Sequence, residues 1–152
     1  MSRAFIGLGS NIGDRQYYLK KAVALIGKYV GEIVAMSSVE ETLPVDFIEQ
    51  PCFLNQIIII ETDLAPAELL SSLKSIEEQL GRIKRFPKGP REIDLDILLY
   101  DSIIYKDDLL EIPHREIKNR DFIIKHLVEL DPSLIDPVTG VKYIDIEKKR
   151  HC

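Results

Sequence analysis

Four apolar strand patterns and two intervening helical periodicities follow one another along the chain, in the order β-α-β-β-α-β. This order predicts an α+β fold of the ferredoxin-like type, a sandwich with a mainly antiparallel sheet, two helices packed on it and C-terminal additions. No internal repeat is visible, and a length of 152 residues suits a single domain over residues 1–152.

The first strand, the first helix and the second strand lie in the first forty residues. Ala4–Leu8 is short and apolar and ends at Gly9, which is typical of a buried strand. Asp14 is a favourable N-cap for a helix whose apolar residues recur at helical spacing. Ile33–Val39 predicts the second strand. Glu40–Cys52, which contains two prolines, predicts a loop, and loops of this length in a compact domain are often functional.

The next two strands flank the second helix. Phe53–Thr62 contains four consecutive isoleucines and predicts the clearest strand of the chain. Pro66 suits the first turn of a helix, and Gly81 suits the position just after its end. The segment Gly81–Arg91 predicts a second loop, and Ile93–Tyr100 predicts the fourth strand.

The C-terminal additions comprise a helix, a turn and a strand. Arg120–Leu130 predicts a short helix closed by an Asp-Pro pair. Pro137–Gly140 predicts a turn, and Val141–Ile146 predicts an edge strand.

Composition excludes several classes of protein. The net charge of −5 argues against a general binder of nucleic acid or anionic membranes. The longest apolar run, Ile57–Ile60, is far too short to span a membrane, and the N-terminus lacks the pattern of a signal peptide. Cys52 and Cys152 are expected to be free thiols, which together with these features predicts a cytoplasmic protein.

The segment Ile93–Ile97 carries the strongest chemical pattern. Asp94 and Asp96 are two apart on a predicted strand, so their side chains project from the same face. Two carboxylates placed in this way can hold one or two Mg²⁺ ions. The alternative is a sheet whose exposed face is acidic without a function.

The loop Gly81–Arg91 carries five positive residues and no acid, so the rest of the chain has a net charge of −10 (−5 minus +5). A basic loop that leads into an acidic strand suits a metal-bound polyphosphate, because cations neutralise the phosphate oxygens that the metal leaves free. The alternative is a solvated basic surface. The sequence contains no Gly-x-x-x-x-Gly-Lys-Ser/Thr motif, so the phosphate site would not be a P-loop.

Two further groups of residues could bind a small molecule. Phe53 and Asn55 face the same way on their strand and could stack on a flat heterocycle and hydrogen-bond its edge, with Thr42 and Val45 completing the pocket. The alternative is a core phenylalanine and a turn-capping asparagine. His114 could contact phosphate or ribose, or it could be a turn residue after proline.

Taken together, these segments resemble the 6-hydroxymethyl-7,8-dihydropterin pyrophosphokinase family. The string Gly89-Pro90-Arg91-Glu92-Ile93-Asp94-Leu95-Asp96 is similar to the family signature. Gly9-Ser10-Asn11, the segment from Gln50 to Asn55, Ile112-Pro113-His114 and Arg120-Asp121-Phe122 stand around it in family order.

The resemblance implies a ferredoxin-like fold and the transfer of diphosphate from ATP to the hydroxymethyl group of the reduced pterin, in folate synthesis. It implies that Asp94 and Asp96 bind two Mg²⁺ ions and act with Arg82 and Arg91 in catalysis. The implied ATP contacts are Glu77, Arg82, Lys84, Arg91, Ile97, His114 and Arg120. The implied pterin contacts are Thr42, Leu43, Val45, Phe53, Asn55 and Phe122. Its partners would be these small molecules alone, and the protein would be a monomer.

Some positions depart from the family pattern. Lys88 stands where many members have tryptophan, and Phe86 is a candidate to take the role of that tryptophan. Arg115 stands where proline or tyrosine is common. Leu109 and Glu111 replace an arginine and a threonine. Two other functions fit the residues: a metal-dependent phosphohydrolase that uses the same aspartates, and a non-catalytic module that binds nucleotide or RNA.

Overall fold

The computed structural model describes residues 1–44, 49–83 and 85–150 of the chain. The principal elements are β1 (Ser2–Ser10), α1 (Arg15–Tyr29), β2 (Glu32–Met36), β3 (Glu40–Thr42), β4 (Phe53–Thr62), α2 (Pro66–Gln79), β5 (Asp94–Tyr100), β6 (Tyr105–Lys106), β7 (Glu111–Ile112), α3 (Asp121–Leu130) and α4 (Tyr143–Arg150). A short 3₁₀ turn, Ile117–Asn119, precedes α3.

The main sheet has the strand order β2-β4-β1-β5, and the short strand β3 pairs with the start of β4. Every pairing in it is antiparallel. Strands β6 and β7 form a separate two-stranded hairpin. This architecture confirms the predicted ferredoxin-like α+β fold.

Side chains that alternate along the strands build one core on each face of the sheet. Ile58 and Ile60 of β4 pack with α1 and α2, as the sequence predicted for one face. Ile57 and Ile59 point to the opposite face, where α3 and α4 cover them. A register shift in the pairing of β1 with β5 lies near Leu98, which joins this second core.

The helix caps follow the predicted chemistry. The Asp14 carboxylate accepts a hydrogen bond from the Tyr17 backbone amide at 3.1 Å at the start of α1. Pro66 occupies the first turn of α2, and Gly81 takes a φ of +87° just after that helix, a conformation that favours glycine. No described helix is long and apolar enough to cross a membrane. Cys52 is a free thiol, and Cys152 lies outside the described residues.

The predicted edge strand Val141–Ile146 is wrong, because Tyr143–Arg150 forms helix α4. Tyr143 and Ile146 are three apart and pack against the same core, which is helical spacing. The long charged side chains that follow also favour a helix. The predicted loop Glu40–Cys52 begins with strand β3, which the Pro-containing sequence did not indicate.

Candidate active site

The floor of the site consists of three neighbouring strands in register. Gly9 of β1 pairs with Asn55 of β4 on one side and with Asp94 of β5 on the other. Gly7 of β1 pairs with Asp96 of β5. Directly paired residues share a face of an antiparallel sheet, so both aspartates and Asn55 project from one face. The glycines carry no side chain, and the floor between the carboxylates and Asn55 is therefore open.

Asp94 is held by two arginines. Arg82 Nη1 lies 3.0 Å from Asp94 Oδ1, and Arg91 Nε lies 4.0 Å from Asp94 Oδ2. Both arginines belong to the basic loop that the sequence singled out. The structure therefore brings the basic loop and the acidic strand together, as expected.

Glu77 of α2 supports this arrangement from below. Its carboxylate is 5% exposed, lies 2.9 Å from Arg82 Nη1 and accepts a hydrogen bond at 2.7 Å from the backbone amide of Leu95. Burial raises the pKa of Glu77, and the Asp94 carboxylate raises it further. Glu77 thus fixes Arg82 and also the backbone that lies between the two aspartates.

Asp96 is less well neutralised than Asp94. Desolvation of its carboxyl group, repulsion from Asp94 and repulsion from Glu77 raise the pKa of Asp96 well above the usual aspartate range. His114 Nε2 lies 3.8 Å from Asp96 Oδ1. A pair of carboxylates under this repulsion is a site that a cation would stabilise.

This donor set fits Mg²⁺, which prefers oxygen ligands and keeps several waters or phosphate oxygens in its coordination shell. Within the described ranges, no group of three or more His, Cys, Asp or Glu side chains is arranged to hold a metal ion. The protein therefore offers the two aspartates and leaves the other coordination positions to water and to a ligand.

His114 is oriented by its own backbone neighbourhood. Its Nδ1 accepts a hydrogen bond from the Glu116 backbone amide at 3.1 Å, so the neutral ring carries its proton on Nε2. Burial lowers the pKa of His114. A neutral ring can therefore donate from Nε2 toward Asp96 or toward an anion bound beside it.

Arg91 is fixed at the boundary between the basic loop and the sheet. Asn11, which is buried, accepts a hydrogen bond from the Arg91 backbone amide at 2.9 Å and donates to the Gln50 side chain at 2.7 Å. The Arg91 guanidinium carbon lies 4.9 Å from the centre of the Phe53 ring. The Arg91 Nε is buried and makes no hydrogen bond with the described residues, since its ion pair with Asp94 Oδ2, at 4.0 Å, is longer than a hydrogen bond.

A cavity of about 270 Å³ lies beside the aspartates and contains the residues expected to bind a flat ring. Phe53, Asn55 and Phe122 line it together with Arg91 and both aspartates. The Asn55 amide nitrogen donates to Thr42 Oγ1 at 2.6 Å, and among the described residues its oxygen accepts no hydrogen bond. Thr42 therefore acts on the cavity through Asn55.

A second cavity of about 360 Å³ adjoins the first. Glu77, Arg82 and Ile97 line it, and Asp94, Asp96, His114 and Arg115 line both cavities. Arg120 lines only the first cavity, where its Nε lies 3.0 Å from Glu116 Oε2. The expected ATP residues thus divide between two spaces that meet at the carboxylates.

Some predicted residues fall elsewhere. Leu43 is 77% exposed and is not among the described residues that line either cavity. Val45 and Lys84 lie outside the described residues. Lys88, at the position of the family tryptophan, lines the first cavity, whereas Phe86 packs on Gly89 and lines a neighbouring space of about 430 Å³.

Sequence reasoning missed three features of the site. The sequence assigns no role in the site to Gly7 and Gly9, but their alternation in β1 matches that of Asp94 and Asp96 and could have indicated an open floor. Asn11 appeared only as part of a family landmark. Arg115 was noted only as a departure from the family, yet it borders both cavities.

The fold and the site define an α+β protein in which two adjoining cavities meet at a pair of carboxylates beside a basic loop. The family model described as 7,8-dihydro-6-hydroxymethylpterin-pyrophosphokinase (HPPK) matches residues 5–132. The chain belongs to this family, and its recognition from sequence is confirmed.

Relatives of the chain include both short and long proteins. A 2-amino-4-hydroxy-6-hydroxymethyldihydropteridine pyrophosphokinase of Aquifex aeolicus is 41% identical over 138 residues, which is 91% of this chain and 86% of that protein. A folic acid synthesis protein of Schizosaccharomyces pombe is 41% identical over 137 residues, or 90% of this chain, but the chain spans only 19% of its length.

Solved structures are similar in fold. An HPPK-DHPS protein crystallised in complex with substrates superposes with a TM-score of 0.79 at 17% identity, covering 98% of this chain and 43% of that one. At this identity the likeness concerns the fold alone.

Proposed function

We propose that the protein transfers diphosphate from ATP to the hydroxymethyl group of 6-hydroxymethyl-7,8-dihydropterin, giving AMP and the pterin diphosphate, in folate synthesis. The observation that carries this function is that Asp94 and Asp96 lie at the junction of two cavities. One cavity has aromatic and amide side chains for a ring, and the other is bordered by cations that suit a polyphosphate.

The pterin binds in the cavity of about 270 Å³. Its flat ring stacks between Phe53 and Phe122, which line this cavity from the sheet and from α3. The Asn55 oxygen, which has no donor among the described residues, accepts a hydrogen bond from an N–H group at the edge of the ring. Leu43, which is exposed and lines neither cavity, is not part of this pocket. Val45 remains an expected contact from the sequence alone.

ATP binds in the adjoining cleft, with its phosphates directed toward the aspartates. Glu77 and Ile97 border this cleft, and His114 donates to a phosphate from its protonated Nε2. Arg120 reaches the phosphates from the side of the ring cavity. Arg82, Arg91 and Lys84 of the basic loop neutralise the oxygens of the transferred diphosphate.

Asp94 and Asp96 would hold two Mg²⁺ ions, whose role in such a site is to neutralise the phosphates and orient the reacting oxygens. The raised pKa of Asp96 supports this assignment, because a divalent cation would offset the desolvation and the repulsion from Asp94 and Glu77 that raise it.

The residues of the chain act mainly by positioning. The pterin hydroxyl oxygen bonds to the β-phosphorus of ATP, the bond from that phosphorus to the α–β bridging oxygen breaks, and AMP leaves with that oxygen. The hydroxyl proton passes to the departing phosphate of AMP and reaches the solvent when the products are released. Arg82 and Arg91 stabilise the charge on the transferred group. The loops before β4 and before β5 cover the reactants and exclude water, so that ATP is not simply hydrolysed.

The same proposal includes the setting of the reaction. The protein works as one domain over residues 1–152, as a monomer in the cytoplasm. It uses ATP and the pterin as its only partners and binds neither nucleic acid nor membranes.

AMP formation tests this function. The protein with Mg²⁺ should release AMP only when both ATP and the pterin are present, and a chelator such as EDTA should abolish the release.

Each alternative function gives a different result. Release of phosphate or AMP without pterin would identify a phosphohydrolase. No turnover under any condition, with an affinity for an ATP analogue that Mg²⁺ does not change, would identify a non-catalytic binding module.

A further inference from the structure

A buried histidine joins helix α3 to strand β3. His126 is 1% exposed, and its Nε2 lies 3.2 Å from Glu40 Oε1 while its Nδ1 lies 3.1 Å from Glu129 Oε1. Glu129 in turn accepts hydrogen bonds from the Ser38 amide at 2.7 Å and the Ser38 hydroxyl at 2.9 Å. We call His126, Glu40 and Glu129 the His126 latch.

The latch residues lie on α3, which carries Phe122, and on β3, which pairs with the strand that carries Asn55. Phe122 precedes His126 by four residues, so both project from the same face of α3. Glu40 is the register partner of Asn55 in the β3–β4 pair, and its carbonyl oxygen lies 3.4 Å from the Asn55 amide nitrogen. The latch therefore connects the helix that carries Phe122 to the strand that supports Asn55.

The latch places a polar side chain, that of His126, in a buried position where apolar packing would be expected. A buried polar ring is costly unless it is hydrogen-bonded, and an apolar side chain at position 126 would pack without that cost. The close approach of Nε2 to Glu40 is not aligned as a hydrogen bond among the described residues. Because α3 carries both His126 and Phe122, a change in this contact would change the distance between Phe122 and the sheet.

We propose that His126 is a positioning residue for the pterin: through Glu40 and Glu129 it sets the spacing between Phe122 on α3 and Asn55 on the sheet. This inference rests on the proposed function. It predicts that the latch changes the affinity for the pterin much more than the affinity for ATP. Arg120, at the start of α3, is the one ATP contact next to this helix, whereas Glu77, Arg82 and Ile97 border the ATP cleft from α2, the basic loop and β5.

The test measures two equilibrium affinities on the full chain with Mg²⁺: that of a non-hydrolysable ATP analogue alone, and that of the pterin with this analogue at saturation. His126→Leu should raise the Kd for the pterin five- to tenfold and change the Kd for the ATP analogue less than twofold. His126→Gln, which restores one donor, should recover part of the loss.

Lys125→Gln is the matched control. Lys125 also touches Glu40 Oε1, at 3.0 Å, but its side chain is 63% exposed, so its loss should change both affinities less than twofold. If His126→Leu fails to fold, Glu40→Gln tests the other side of the latch and should show the same split.

Two results would overturn the inference: a pterin affinity within twofold of wild type in the folded latch variants, or equal losses for both ligands. A wild-type chain that binds the ATP analogue but no pterin would contradict the proposed function itself, and this inference with it.

Discussion

At the scale of single residues, the two aspartates differ in how they are neutralised. Asp94 has Arg82 at 3.0 Å and Arg91 at 4.0 Å, whereas Asp96 has a histidine at 3.8 Å whose pKa burial lowers. His114, the direct neighbour of Asp96, is thus neutral near pH 7, whereas the pKa of Asp96 itself is raised. Asp96 is therefore the side chain whose charge depends most on a bound cation.

Asp96→Asn should lower the turnover number by a factor of about 100 or more, comparable to the loss of one preorganised charge contact in an active site. The free energy of unfolding, measured by urea titration, should stay unchanged or rise, because repulsion from Asp94 and Glu77 is removed. Asp63→Asn, at an exposed turn beyond β4, is the control. Full turnover in the Asp96 variant would remove this side chain from the mechanism.

The open floor of the site gives a second prediction at this scale. A Cβ at Gly9 would lie 3.4 Å from Asn55 Oδ1 and 3.5 Å from the Phe53 ring, in ordinary contact, so Gly9→Ala should fold. The methyl group would occupy the space in front of Asn55, and the affinity for the pterin should fall about tenfold, or about 1.4 kcal/mol. Calorimetric titration measures it.

Gly27→Ala on α1 provides the matched control for this substitution, since Gly27 lies in a helix away from both cavities. It should leave binding unchanged and stabilise the helix by up to about 1 kcal/mol. An unaltered pterin affinity in Gly9→Ala would show that the ring does not approach this floor.

At the scale of elements, an ion pair between Arg85 in the basic loop and Glu92, just after it, stabilises the fold of the loop. The Glu92 carboxylate accepts from Arg85 Nη1 at 2.9 Å and Nη2 at 2.7 Å, and from the Ile83 amide at 3.3 Å. The hydrogen bonds from Arg85 lower the pKa of Glu92 to about 2. The fold of the loop therefore depends on a charged Glu92.

This pair predicts a pH dependence of stability. Because its folded pKa lies below its ordinary value of 4.5, Glu92 stabilises the fold above pH 4.5, and this contribution disappears as the pH falls toward about 2. Unfolding in urea across this range should show wild type more stable than Glu92→Gln at pH 6, with the difference vanishing in acid. A constant difference at all pH values would contradict the role of the ion pair.

Local patterns predicted the elements that matter most for the site. The alternation of Asp94 and Asp96, the isoleucines of β4 and the caps of α1 and α2 depend on near neighbours in sequence, and these predictions were confirmed. Strand β3 and helix α4 were missed because each is stabilised by distant packing, β3 by the start of β4 and α4 by α3. Intrinsic propensity carries little information about such contacts.

At the scale of the whole molecule, the site depends on contacts that no local pattern specifies. Asn11 holds Arg91 from 80 residues away, and Glu77 reaches the backbone between the two aspartates. The sequence could therefore predict the chemistry of the carboxylates and the basic loop, but not that Glu77 supports them or that His126 joins α3 to β3.

The most direct test of diphosphate transfer uses ATP with radioactive phosphorus at the γ-position and measures which product carries the label. The proposed reaction moves the β- and γ-phosphates together, so all the label should appear in the pterin product, with one AMP formed for each labelled pterin and no ADP. Label in free phosphate, or the appearance of ADP, would show that a different bond is broken and would contradict diphosphate transfer.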